Sequence, residues 1–214
     1  MKRSTHAIRA AGLAVLGALV GNAAFAQDVV KVAVPQRGTW ETSVPDLGEQ
    51  SKIFAKHGIK VESIYTSGGG ETMQVVISGA VDIGLSAGLA GAFGAFAKGA
   101  PIRISGASSS GAKEVMYYVP AKSPLQSLRE AHGKSIAYST TGSSTHIGAL
   151  RLIAEYGLKD AKIIPTGDAA STTTQTLTGQ VDIGWNVGPF NLDRVASGEI
   201  RVIGNLSEIG RAHV

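Results

Sequence analysis

Short apolar runs alternate with stretches of helical period along almost the whole chain. Val29 to Val34 is β-branched and stops at Pro35, as a strand should. Thr42 or Ser43 then caps a predicted helix with Pro45 in its first turn. Val44, Leu47, Ile53 and Phe54 form its apolar stripe, and Gly58 ends it. Lys60 to Thr66 reads as a second strand, Glu71 to Gly79 as a short helix, and Val81-Asp-Ile83 as a third strand. A small-residue helix over Leu89 to Lys98 follows, then strands over Ile102 to Ser105 and Val115 to Val119.

Pro120 and Pro124 bracket a linker, after which the pattern restarts. A short helix is predicted over Leu125 to Ala131 and a strand over Ser135 to Ser139. A helix from about Ser143 buries Ile147, Leu150, Ile153 and Ala154, and Gly157-Leu158 closes it in a Schellman turn. Strands over Ala161 to Pro165, Val181 to Trp185 and Ile200 to Ile203 enclose a helix over Ala169 to Thr178. Strand and helix alternating in this way predict an α/β fold of mainly parallel sheets with covering helices.

Within that pattern one phrase occurs twice. Gly79-Ala-Val-Asp-Ile-Gly84 returns as Gly179-Gln-Val-Asp-Ile-Gly184, and a Gln-led run precedes each copy. The repeat implies two similar lobes, each giving one wall of a cleft, because ligands of open α/β sheets bind at strand carboxyl ends. The expected lobes are residues 27–120 and 121–207. Asp82 and Asp182 lie inside the repeats and read as scaffolding that accepts backbone N–H bonds.

The ends of the chain change the charge balance. Lys2, Arg3 and Arg9 precede an apolar stretch and an Ala24-Phe-Ala26 cleavage pattern, so residues 1–26 read as a signal peptide for export to a periplasm. The apolar run is too short to span a bilayer of roughly 30 Å. Of 20 Lys+Arg and 16 Asp+Glu, three bases belong to that leader, leaving 17 against 16 and a net +1. No nucleic-acid stripe follows from such a balance. No Cys occurs, which excludes disulfides, thiolate metal sites and acylation of the leader. At the other end, residues 208–214 back-translate to the start of a common sequencing adapter, so they are expected to be a non-native tail. Genomic DNA continuing differently after Ser207 is the expected finding.

Candidate chemistry collects in the loops at strand carboxyl ends: Arg37 to Trp40, Thr66 to Gly70, Ser86 to Gly88, Thr140 to Thr145, Gly167 to Ala169 and Asn186 to Gly188. Several lead straight into helices, whose free N–H groups suit anions. The same residues also serve ordinary capping. Trp40 and Trp185 could stack on a ligand or fill the core, and Arg37 could supply a counter-charge. His146 beside Ser143 and Ser144 suggests a nucleophile pair, the rival reading being an exported hydrolase, but no G-x-S-x-G elbow accompanies it. Neither a metal nor a cofactor is expected.

The signal peptide together with GGGETMQVVISGAVDIG, GKSIAYSTTGSST and TLTGQVDIGWNVGPF resembles the periplasmic solute-binding proteins of ABC importers in the nitrate/sulfonate/taurine and pyrimidine-precursor (SsuA/THI5-like) group. The resemblance covers Val29 to Asn205. It implies a type II periplasmic-binding fold, a monomer that closes its lobes on a small anionic solute, and delivery to an inner-membrane permease. By position it implies ligand contacts at Gly38, Thr39, Trp40, Ser67, Gly68, Ser86 and Ala87 in the first lobe. In the second it implies Thr141, Gly142, Ser143, Ser144, Asn186 and Gly188. Members of the group return from the second lobe to complete the first. A first lobe without that return is expected to keep an unpaired sheet edge and exposed apolar surface, leaving the chain as written poorly stable and its binding in doubt.

Overall fold

The computed structural model describes residues 27–108 and 113–207. The expected leader, 1–26, and tail, 208–214, lie outside the described residues. In the first half of the chain, β1 (Asp28–Val34) is the middle strand of a parallel sheet. It lies between β2 (Ile59–Tyr65) and β3 (Ile83–Gly84), with Asp28 opposite Ile59 and Val32 opposite Ile83. Helices α1 (Val44–Gln50) and α2 (Ile53–Lys56) lead into β2, α3 (Gly69–Ile77) leads into β3, and α4 (Leu89–Ala97) follows it.

In the second half, β5 (Ser135–Tyr138) and β6 (Lys162–Pro165) pair in parallel, and a bridge from Ile136 to Ile183 carries the ladder towards β7 (Gly184–Val187). Helices α5 (Ser144–Tyr156), α6 (Ala169–Leu177) and α7 (Leu192–Ala196) complete this half. Here β4 (Val115–Pro120) is central: it runs antiparallel to both β7 and β8 (Ile200–Asn205). Expected before the linker, β4 is thus hydrogen-bonded to strands from beyond it. Its Tyr117 and Val119 are fully buried and join the core containing Ile136, Leu152, Ile183 and Trp185.

The two halves differ sharply in packing. The first half's buried cluster consists of Met73, Ala92 and Ile102. Val44, Leu47, Ile53, Ile64, Ile83, Leu89, Phe93 and Phe96 are exposed there. Apolar surface is thus exposed in the first half of the chain.

Several expected elements differ. The helix between Ser43 and Gly58 is broken, because Lys52 adopts a left-handed conformation (φ 56°) and the Phe54 ring folds back onto Gly48. Only a glycine leaves room for that ring. Ser43 makes no side-chain cap; its hydroxyl donates to Trp40 O instead (2.8 Å). Ile102 to Ser105 is not a strand, although Ile102 is buried. The Leu125 to Ala131 helix shrinks to one 3₁₀ turn at Leu128–Glu130. The third strand keeps only Ile83–Gly84, and the second repeat strand begins at Gly184 rather than Val181.

Helix α5 buries Thr145, Gly148, Ala149 and Leu152, whereas the expected Leu150 and Ala154 are exposed. Close approach decides this face: Gly148 lies against Leu206 and Tyr117. The Schellman ending does form, with Leu158 N–H bonded to Ile153 O (3.0 Å) and Gly157 at φ 66°.

Candidate functional site

The repeated phrase corresponds to a repeated piece of hydrogen bonding. Thr66 follows β2, and its hydroxyl lies 2.6 Å from that of Thr72 in α3. A hundred positions later Thr166 and Thr172 stand in the same relation at 2.6 Å. Each first threonine donates its N–H to the neighbouring strand, Thr66 to Val34 O and Thr166 to Tyr138 O, both at 2.8 Å. The aspartates match as well. Asp82 Oδ2 accepts from Lys31 N–H (2.8 Å), and Asp182 Oδ2 accepts from Ser135 N–H (2.9 Å) and the Ser135 hydroxyl (2.7 Å). These carboxylates hold the loop before the repeat strand to its neighbour, which is scaffolding.

The strand-end loops of the two halves meet. Gly70 N–H donates to Thr140 Oγ1 (2.9 Å), and a Cβ on Gly68 would crowd Thr140 Oγ1 and the Ser139 side chain. A Cβ on Gly70 would overlap Thr141 O, and one on Gly91 would stand 2.9 Å from Gly142 O. On the far side, Trp40 N–H donates to Gly188 O (3.3 Å), and Gly38 lies beside Phe190. At Gly70 and Gly91 a glycine is needed because backbone meets backbone.

Where these loops touch, several expected anion donors are already engaged. Ser67 N–H donates to Glu71 Oε2 (2.7 Å), a capping interaction. Gly142 N–H donates to His146 Nδ1 (3.2 Å), and His146 N–H to the Ser143 hydroxyl (3.1 Å), which caps α5. The imidazole packs against the Tyr138 ring in a tilted arrangement, with centroids 4.6 Å apart and 39° between the planes. His146 therefore meets Ser143 through its backbone, and the ring that a general base would need is turned to Gly142.

Between the halves lies a cavity of about 370 Å³ lined by Gln36, Arg37, Tyr65 and Ser67 from one side and by Asp168 and Phe190 from the other. Arg37 lays its guanidinium 3.6 Å over the Tyr65 ring, and the Tyr65 hydroxyl donates to Asp46 Oδ2 (2.5 Å). Burial, then Asp46, raises the Tyr65 pKa above its ordinary value and keeps the phenol neutral. Asp168 caps α6, its Oδ1 accepting from Ser171 N–H (2.7 Å). Gln36 is only 8% exposed, and its Oε1 has no partner among the described residues.

The residues expected from sequence distribute unevenly around this centre. Ser67 lines the cavity, and Gly38 adjoins it through Phe190. Gly68 and Thr141 to Ser144 stand at the adjoining loop contact; Ser86 and Ala87 flank it, Ala87 O facing Gly69. Thr39 is buried and its hydroxyl pairs with that of Thr42 (2.6 Å). Trp40 is 67% exposed and lines a separate cavity of about 410 Å³ with Glu41 and Glu114. Burial and then Glu114 raise the Glu41 pKa. Trp185 belongs to the second core, and Asn186 is fully buried with neither amide atom partnered among the described residues. Gln36, Tyr65 and Phe190 were missed. Their signal was position alone: each lies at or just beyond a strand's carboxyl end.

Comparison with known proteins agrees with this architecture. No curated protein sequence matches the chain. Among solved structures, the chain is similar to the periplasmic aliphatic sulphonate binding protein SsuA from Escherichia coli, with a TM-score of 0.59 and 20% identity. The match covers 86% of this chain and 59% of that one. The alkanesulfonate-binding protein SsuA from Xanthomonas axonopodis pv. citri, bound to MOPS, gives a TM-score of 0.66 and 23% identity over 86% and 62%. The ligand-binding component of an ABC-type import system from Staphylococcus aureus gives 0.64 and 12%, again over 86% and 62%. The chain thus spans about three fifths of the length of these relatives, which share its periplasmic-binding fold. Residues 48–210 match the profile described as NMT1/THI5 like, and the chain belongs to that family.

Proposed function

We propose that this chain is the solute-binding component of an ABC importer, working in the periplasm as a monomer. It captures a small anionic solute, of the nitrate, sulfonate, taurine or pyrimidine-precursor kind, by closing its two lobes and presents it to an inner-membrane permease. The observation carrying this reading is the interlobe cavity, whose size falls within the usual ligand range and whose walls come from both halves. Arg37, without an ion pair among the described residues, gives the cavity a cationic group. The contacts proposed for the solute are Gly38 to Trp40, Ser67, Gly68, Ser86, Ala87, Thr141 to Ser144, Asn186 and Gly188. Domain closure around a ligand is the general motion of periplasmic binders. The likeness to sulfonate binders makes sulfonates the first solutes to try. Isothermal titration of the full chain against sulfonates, nitrate and pyrimidines tests the proposal. Saturable uptake of one class, with the solute recovered unchanged, is expected; no binding, or a chemically altered solute, would overturn it.

A further inference from the structure

We propose that Tyr65 and Asp46 are positioning residues of the interlobe cavity, fixing the Arg37 guanidinium where it meets an anionic solute. The proposal rests on the binding function above and assigns part of its affinity to two residues outside the solute's own contacts. Three elements converge to build the arrangement. Arg37 follows β1 and lines the cavity, exposed and without an ion pair among the described residues. Tyr65 is the last residue of β2, in register with Val34, and its ring centroid lies 3.6 Å from the guanidinium carbon. Asp46 stands in the first turn of α1, and its Oδ2 accepts the Tyr65 hydroxyl (2.5 Å). The ring is thus held at both ends, by the strand's backbone at one and by the carboxylate at the other.

The order of these groups matters. A long arginine side chain left loose in solvent must be immobilised when a solute binds, and that entropy is lost from the affinity. A direct pair between Asp46 and Arg37 would prevent the loss, but it would engage the guanidinium N–H groups and offset their charge. With the phenol between them, the carboxylate fixes the ring and the ring face fixes the cation. The guanidinium N–H groups have no acceptor among the described residues and stay available to an anion. Hydrogen bonding to a carboxylate also makes the phenol more electron-rich, which strengthens the ring's hold on a cation.

Titration of the full chain with ethanesulfonate and with nitrate tests the assignment. Tyr65→Leu removes the ring face and should weaken binding about three- to tenfold. Tyr65→Phe keeps the ring and should recover most of that loss. Arg37→Lys supplies the discriminating background, because an ammonium on a flexible stem keeps the charge and gives up the planar group that the ring orients. In that background Tyr65→Leu should cost less than about twofold, since its partner is gone. Asp46→Asn, readable even where the leucine variant does not fold, should weaken binding about two- to threefold in the parent and be silent beside Arg37→Lys. Equal losses in both backgrounds overturn the proposal. So does parent-like binding by Tyr65→Leu or, where that variant does not fold, by Asp46→Asn. Uptake of an uncharged pyrimidine alone overturns it too, while the binding function stands. If nothing in the wider panel binds the parent chain, the binding function fails and the positioning role with it.

Discussion

At the scale of single residues, the two halves are held by the same few polar contacts rather than by the same core. Asp182 shows the logic best. Partial burial pushes its pKa up, but the Ser135 hydroxyl and N–H and then the Lys134 charge outweigh burial and hold the carboxyl below its ordinary value. A carboxyl depressed on folding contributes stability that is present above the unfolded-state pKa and lost as pH falls through the folded one. Asp182→Asn should therefore lower the melting temperature at neutral pH. The gap to the parent should close as pH drops below about 4. Parallel melts across that range would show it, and a gap that stays constant with pH would refute it. Glu41 has the opposite sign: its raised pKa means the ionised form costs stability at neutral pH. Glu41→Gln should raise the melting temperature at pH 7 and lose its benefit below the ordinary glutamate range.

These residues also mark what the sequence could and could not reveal. The Asp82 and Asp182 roles were legible because a carboxylate next to a repeated strand has the neighbouring strand's backbone N–H groups at hand. Thr166 and Thr172 form part of a helix start that reads as ordinary threonine-rich sequence. Their pairing becomes visible only when Thr66 and Thr72 are seen doing the same. Gln36 was illegible for a different reason. A glutamine after a strand is normally solvated, and burial with an empty acceptor is a property of the folded loop.

At the scale of elements, strand and helix existence followed from period, while their faces and ends followed from contacts that are distant in sequence. Helix α5 illustrates this. Its apolar residues predict one face, but Gly148 and Ala149 let Tyr117 and Leu206 come close, and that approach rotates the buried side onto small residues. Strand direction was similarly out of reach, because nothing local makes β4 antiparallel. The contact between α3 and the loop before α5 supplies a test. Since a Cβ on Gly70 overlaps a backbone carbonyl, Gly70→Ala cannot be absorbed by a side-chain rotation. It should cost about 1–3 kcal/mol in the closed arrangement, as overpacking does. Small-angle scattering should then show a larger radius of gyration than the parent has. An unchanged radius and an unchanged melt would show that the loops do not hold the halves together.

For the whole molecule, the asymmetry between the halves dominates. Phe93 is 57% and Phe96 is 64% exposed, on a half whose own buried cluster is small. Burying such a side chain is worth about 1.5–3 kcal/mol, which this half forgoes. Exposed apolar surface of that kind promotes association. The full chain should bind a hydrophobic dye in its native state and self-associate as concentration rises. Replacing both residues by Ser should reduce dye binding and shift sedimentation towards the monomer. Dye binding that survives the double replacement would place the sticky surface elsewhere.

The central position of β4 bears on the order in which such a chain can fold. Pro120 on β4 is paired with Ile200, and Met116 with Asn205, so the strand's longer ladder joins residues about eighty to ninety positions apart. Such non-local pairing is slow to form, since a large loop must close before any bond rewards it. During synthesis β4 leaves the ribosome long before β8 exists. Tyr117, Tyr118 and Val119 must then wait without their partner until nearly all the described chain has been made. A polypeptide that postpones its main core in this way stays open until its synthesis is nearly done, so its folding is gated by the closing of one large loop.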